Sequence, residues 1–128
     1  MSTDFKYESS GYLKYFDNPK KLIVSVDQEL VDYYRKSVFI KINRQKYDPH
    51  ISVVRKEIPN GPWGKYEGEL IKFKYSGEVR NDSVYYWLPV ECVRLEEIRL
   101  ELGLPLISDI TLSPDKFHRF HITIGNIK

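Results

Sequence analysis

Two short segments built to one plan constrain this chain most: Pro49-His50-Ile51-Ser52-Val53-Val54 and Phe120-His121-Ile122-Thr123-Ile124-Gly125. Side chains alternate between the faces of a strand, so His50 shares a face with Ser52, and His121 with Thr123. Ile51 and Val53 in the first segment, and Phe120, Ile122 and Ile124 in the second, then take the opposite faces. Any fold must bury that apolar side of each strand and leave an imidazole and a hydroxyl together on the other. Pro49 has no N–H for a ladder, so it fits the opening of a strand and not its middle.

The rest of the chain supplies matching surroundings. Leu22, Val24 and Val26 alternate with Ile23 and Ser25, which predicts a strand. Asp27 stands where an N-cap belongs and Leu30, Val31 and Tyr34 follow at helical spacing, so a helix is expected from Asp27 to about Lys36. Ser37 to Ile42 alternates well enough to be a strand, and His50 to about Lys56 is the first histidine strand. Ile58 to Gly68 is rich in proline and glycine, which is loop chemistry and could form a lid. Leu70 to Tyr75 and Ser83 to Val90 are expected as antiparallel strands. A second helix is expected over Glu91 to Leu102, with Val93, Leu95, Ile98 and Leu102 inward, its Glu and Arg residues solvated, and Gly103 as its stop. The final strand runs from about Arg119 to Ile124. Each half, about 12–60 and 69–128, therefore reads as strand, helix, then a strand opening on histidine, within one domain over residues 1–128.

Cleaving a phosphodiester takes a base for the attacking oxygen and an acid for the leaving oxygen. Imidazole, with an unperturbed pKa of about 6.5, serves either role near neutrality. A hydroxyl two positions along a strand lies about 6 to 7 Å further on and can donate to a non-bridging oxygen where charge builds. His50-Ile51-Ser52 and His121-Ile122-Thr123 resemble the paired His-x-Thr/Ser signature of the 2H phosphoesterase family. That resemblance implies an α+β fold, bilobal and pseudo-twofold, with antiparallel sheets, flanking helices, and His50, Ser52, His121 and Thr123 meeting in a central groove. It further implies cofactor-free hydrolysis or transfer at 2′,3′-cyclic phosphates or at 2′–5′ or 3′–5′ oligonucleotide linkages. The small size resembles the compact phage-encoded branch, which degrades cyclic oligonucleotide defence signals, and that branch would work in the host cytoplasm.

Competing readings of these residues are plain. A histidine on a half-buried strand is commonly structural, and the same groove could hold a nucleotide or RNA end without turning it over. Retention of two imidazoles argues against mere binding, for which Arg or Lys would serve. His118 and His121 are three apart, on opposite faces of an extended strand, with no further ligand cluster in view, so no metal is expected. Trp63 and Tyr66 in the loop, with Tyr85 and Trp87, are candidates for stacking a base, and Arg55, Lys56, Lys74 and Arg119 for countering phosphates.

Charge and composition narrow the partner. A formal net charge of +2 is too small for a sequence-independent grip on long DNA, which needs many clustered cations, but it suits a small nucleotide or oligonucleotide. Cys92 is the only cysteine, which points to a reducing, cytoplasmic setting. No apolar run is long enough to cross a bilayer, so no membrane association is expected.

Overall fold

A computed structural model describes residues 5–105 and 120–128. The elements run β1 (Tyr7–Phe16), β2 (Lys21–Ser25), α1 (Gln28–Ser37), β3 (His50–Val54), β4 (Leu70–Tyr75), β5 (Arg80–Asn81), β6 (Tyr85–Glu91), α2 (Val93–Glu101) and β7 (Phe120–Asn126). All strands belong to one antiparallel sheet in the order β4-β1-β2-β3-β7-β6-β5, and an extra β4–β6 pairing closes the first six into a barrel-like ring. The protein is thus an α+β domain, with a closed six-stranded antiparallel sheet and two helices.

Exchanging β1, β2 and β3 with β4, β6 and β7 leaves the cyclic order of the ring unchanged. The helices obey the same exchange, since α1 packs across β7 and α2 across β3. The β3–β7 seam pairs Ile51 with Ile122, the equivalent residues of the two histidine segments. Both isoleucines are fully buried. Each contributes about 1.5–3 kcal/mol from apolar burial, which fixes the register because a one-residue slip of either strand would turn that strand's histidine into the core.

Local sequence explains most element boundaries. The Asp27 side chain accepts from the Glu29 N–H at 3.0 Å and so caps α1. Lys56, the second residue past β3, has φ of 55°, a left-handed turn that keeps extended pairing from reaching the expected limit. Gly103, at φ of 72°, stops α2 as its position predicts. In α2, Leu95 and Ile98 face the core, but Val93 is 65% exposed.

Three expectations differ from the structure. Ser37 to Ile42 forms no strand; α1 runs through Ser37, and the nearest extended contact is the isolated Asn43–Asn126 bridge. β1 is a ten-residue strand where no strand was expected. Finally, Arg99 does not lie on a solvated face, being 1% exposed. Its guanidinium forms a two-pronged pair with Glu57 at 2.8 Å on each arm and also donates to the carbonyls of Val53 and Pro105. The planar fork matches a carboxylate and a backbone oxygen together, which is how a buried arginine stays compensated. It straps α2 to the end of β3. Among the described residues, no helix is long and apolar enough to cross a membrane.

Candidate active site

The polar face of the β3–β7 seam floors a groove of about 570 Å³. His50, Ser52, His121 and Thr123 all line it. Continuing the Ile51–Ile122 register by one residue each way sets His50 opposite Thr123 and Ser52 opposite His121. The four form a square two strands wide, with the imidazoles on one diagonal and the hydroxyls on the other. Diagonal neighbours on antiparallel strands sit about 7–8 Å apart and direct neighbours about 4.5–5.5 Å apart, so each histidine's nearer hydroxyl belongs to the other strand. A tetrahedral anion at the centre of such a square has an imidazole on either side and an alcohol between them on each flank.

Neighbouring segments shape the groove. Gly125 is buried beneath the strap at Ile42 and Asn43, where a Cβ would come within 2.6 Å of the Asn43 carbonyl oxygen and 2.8 Å of Ile42 Cδ1. The strap is held there by reciprocal backbone bonds, Asn43 N–H to Asn126 O at 2.7 Å and Asn126 N–H to Asn43 O at 3.0 Å. It delivers Arg44, Gln45, Tyr47 and Asp48 to one end of the groove. Across the ring, Gly11 meets Ser25 so closely that a Cβ would overlap its carbonyl, and Ser25 Oγ accepts from the Tyr12 N–H at 2.9 Å.

The two imidazoles are held differently. His50 Nδ1 lies 2.8 Å from the Asp48 carbonyl oxygen. A carbonyl only accepts, so Nδ1 carries the hydrogen and Nε2 is left to work in the groove. His121 is set against the edge of Trp87, with ring centroids 6.1 Å apart. Its Nδ1 is buried and has no hydrogen-bond partner among the described residues. Burial first, then the fields of His50 and Arg55, push the His121 imidazolium down to about 4. His121 is therefore neutral at neutral pH. Among the described residues no group of three or more His, Cys, Asp or Glu side chains is placed to hold a metal ion.

Of the residues singled out in the sequence, Arg55 and Tyr85 also line the groove. Trp63 and Tyr66 do not. Trp63 packs edge-on to Tyr15 at 5.0 Å, and the Tyr66 hydroxyl donates to Glu101 at 2.7 Å beneath the Arg94 guanidinium. Both pack against the apolar core, as aromatic residues of a Gly/Pro-rich stretch do when their rings have core to cover. Trp87 faces the groove side of β6, opposite Thr123, but is fully buried and braces His121 from behind. Lys74 is on β4, away from the groove, and Lys56 forms the turn after β3. Arg119 and His118 lie outside the described residues.

Lys14, Phe16, Lys21 and Tyr47 line the groove without having been foreseen. For Lys14 and Phe16 the missing signal was β1 itself. Once that strand is known, their even-numbered positions place them opposite the buried Leu13. The chain matches no protein-family model, no curated protein and no solved structure.

Proposed function

We propose that this protein is a metal-independent phosphodiesterase that hydrolyses a small nucleotide or oligonucleotide by two-histidine acid–base catalysis. The observation that carries this reading is the square of His50, Thr123, His121 and Ser52 on the floor of one groove. Together with the paired motifs, it supports a bilobal, pseudo-twofold 2H phosphoesterase fold and the substrate classes of that family: 2′,3′-cyclic phosphates, 2′–5′ linkages and cyclic oligonucleotides. A cytoplasmic setting accords with a single, buried cysteine.

The steps follow from the surroundings. The substrate phosphoryl group lies over the square. His121, kept neutral, takes the proton from the attacking water through its groove-facing nitrogen. His50, oriented by the Asp48 carbonyl, gives the proton on Nε2 to the departing oxygen. Charge gathering on the non-bridging oxygens is met by Ser52, Thr123 and the Arg55 guanidinium. The proton taken by His121 then passes to solvent and His50 Nε2 regains one from it, which readies the pair for the next substrate.

The test is incubation with 2′,3′-cyclic nucleotides, 2′–5′ oligoadenylate and cyclic oligonucleotides, with and without a chelator, followed by mass analysis. Chelator-resistant cleavage of at least one class is expected. Intact ligand that binds tightly throughout would instead make the groove a binding module, and cleavage abolished by chelation would contradict the metal-free mechanism.

A further inference from the structure

The histidine square occupies only part of the groove. Beside the square stands Lys14 on β1, level with Ser52, and toward the far end of β3 stand Lys21 on β2 and Arg55 just beyond β3. Among the described residues none of these three has a carboxylate within ion-pairing distance. Among the described residues the one acid lining the groove, Asp48, belongs to the opposite end, beside His50. A chain with a net charge of only +2 therefore concentrates uncompensated cations along one wall. Their mutual repulsion is relieved when an anion binds.

One phosphate cannot satisfy all three. Arg55 acts at the reacting centre, where its field reaches His121. Lys14 pairs with Ile23, which in turn pairs with Ser52, so β1 lies two strands away from β3. At about 4.8 Å per strand that puts the Lys14 backbone about 10 Å from the square's edge. Lys21 sits opposite Phe16 and holds its ammonium 4.7 Å from the centre of that ring. Two ammonium groups and a partly exposed aromatic face make a wall suited to a phosphate and the base next to it.

We propose that the Lys14–Lys21 wall is a second phosphoryl subsite, so that the substrate is an oligonucleotide with at least two phosphates, one on the histidine square and the next against β1 and β2. The inference rests on the square receiving the first phosphate. It makes mononucleotide cyclic phosphates poor substrates and gives the groove a direction, because the strap end offers phenols, amides, the Asp48 carboxylate and an arginine, Arg44, already within 4.0 Å of Asp32.

The experiment uses three ligands that share the same nucleosides: adenylyl-(3′–5′)-adenosine, and the same dinucleotide with an extra phosphate at its 5′ end or at its 3′ end. Binding to the wild type and to the Lys14→Ala/Lys21→Ala variant is measured by calorimetry, with product formation followed in parallel. At least one doubly phosphorylated ligand should bind the wild type about 10-fold or more tightly than the parent. The double variant should lose that gain, hold the parent within about 2-fold, and show a salt dependence shallower by about 1.4 in log–log slope. Equal affinity of all three ligands for the wild type would overturn the subsite, as would a variant that weakens all three alike. Lysine-dependent preference without any cleavage would keep the subsite and refute the hydrolytic reading. Cleavage of all three with lysine-independent efficiency would do the reverse.

Discussion

The two histidine strands occupy equivalent places in the ring, yet they hold their imidazoles in opposite ways. On β3, His50 has its Nδ1 bound by the Asp48 carbonyl, an acceptor that supports the charged ring as well as the neutral one. On β7, His121 rests against Trp87 with its Nδ1 buried and unpartnered, and burial holds it neutral down to about pH 4. Their supports differ too. The end of β3 is strapped from below by Arg99, whereas the end of β7 is covered from above by the Asn43 strap over Gly125. Equivalent places in the ring thus bring two copies of one side chain to one groove, and their neighbours make them unlike.

The largest effect comes from removing either ring. His50→Ala and His121→Ala should each lower kcat by about 10² to 10⁴, measured at neutral pH on whichever nucleotide the wild type cleaves. The comparison sharpens in the pH profile of kcat/KM. His121 must be neutral to accept a proton, so the wild-type rate should fall as pH drops through about 4, and residual activity of His121→Ala should lack that limb. Loss of the limb in His50→Ala instead would reverse the assigned roles.

The supports can be broken separately. Arg99→Ala leaves Glu57 and the Val53 carbonyl buried without their partner, and chemical denaturation should show a loss of about 3–5 kcal/mol. Gly125→Ala drives a Cβ against Asn43 and Ile42. A loss of about 1–3 kcal/mol is expected from overpacking, together with a raised KM because the strap carries one end of the groove. A KM unchanged in Gly125→Ala would show that the strap plays no part in binding.

The smallest effect is on acid stability. The folded pKa of His121 is below its unfolded value of about 6.5, so the stabilisation it brings is complete above that pH and is lost as pH falls toward about 4. Because the ring partly faces the groove, the loss should be on the order of 2 kcal/mol or less. His121→Gln should flatten this part of the pH–stability curve.

Much of this arrangement is legible in the sequence. Alternation in His50–Val54, Leu70–Tyr75 and Phe120–Asn126 exposes three strands directly, and the repeated order of strand, helix and histidine strand anticipates an exchangeable pair of halves. β1 escaped notice because its inward positions, Ser9, Gly11, Leu13 and Tyr15, include only one aliphatic side chain, so the period of two carries little hydrophobic contrast. Its glycine is there because the Ser25 carbonyl comes too close for any Cβ. With β1 hidden, Lys14 and Phe16 could not be assigned to a face, and the cationic wall stayed out of sight. Arg99 was misplaced for a different reason. A helical position between Ile98 and Leu100 says nothing of a carboxylate arriving from Glu57, which lies far away in the sequence. Trp63 and Tyr66 show the limit of reasoning from loop composition, since both rings pack against the core and leave the aromatic lining of the groove to Phe16, Tyr47 and Tyr85.

Whether unlike imidazoles flank one phosphoryl group is decided by NMR titration of the histidine ring nitrogens, with and without a non-hydrolysable phosphorothioate dinucleotide. The His121 midpoint should lie near 4 in the empty protein, the signals of both His50 and His121 should move when the ligand is added, and the His121 midpoint should rise beside the bound anion. A His121 midpoint at the ordinary value of about 6.5, with neither ring responding to ligand, would contradict that arrangement.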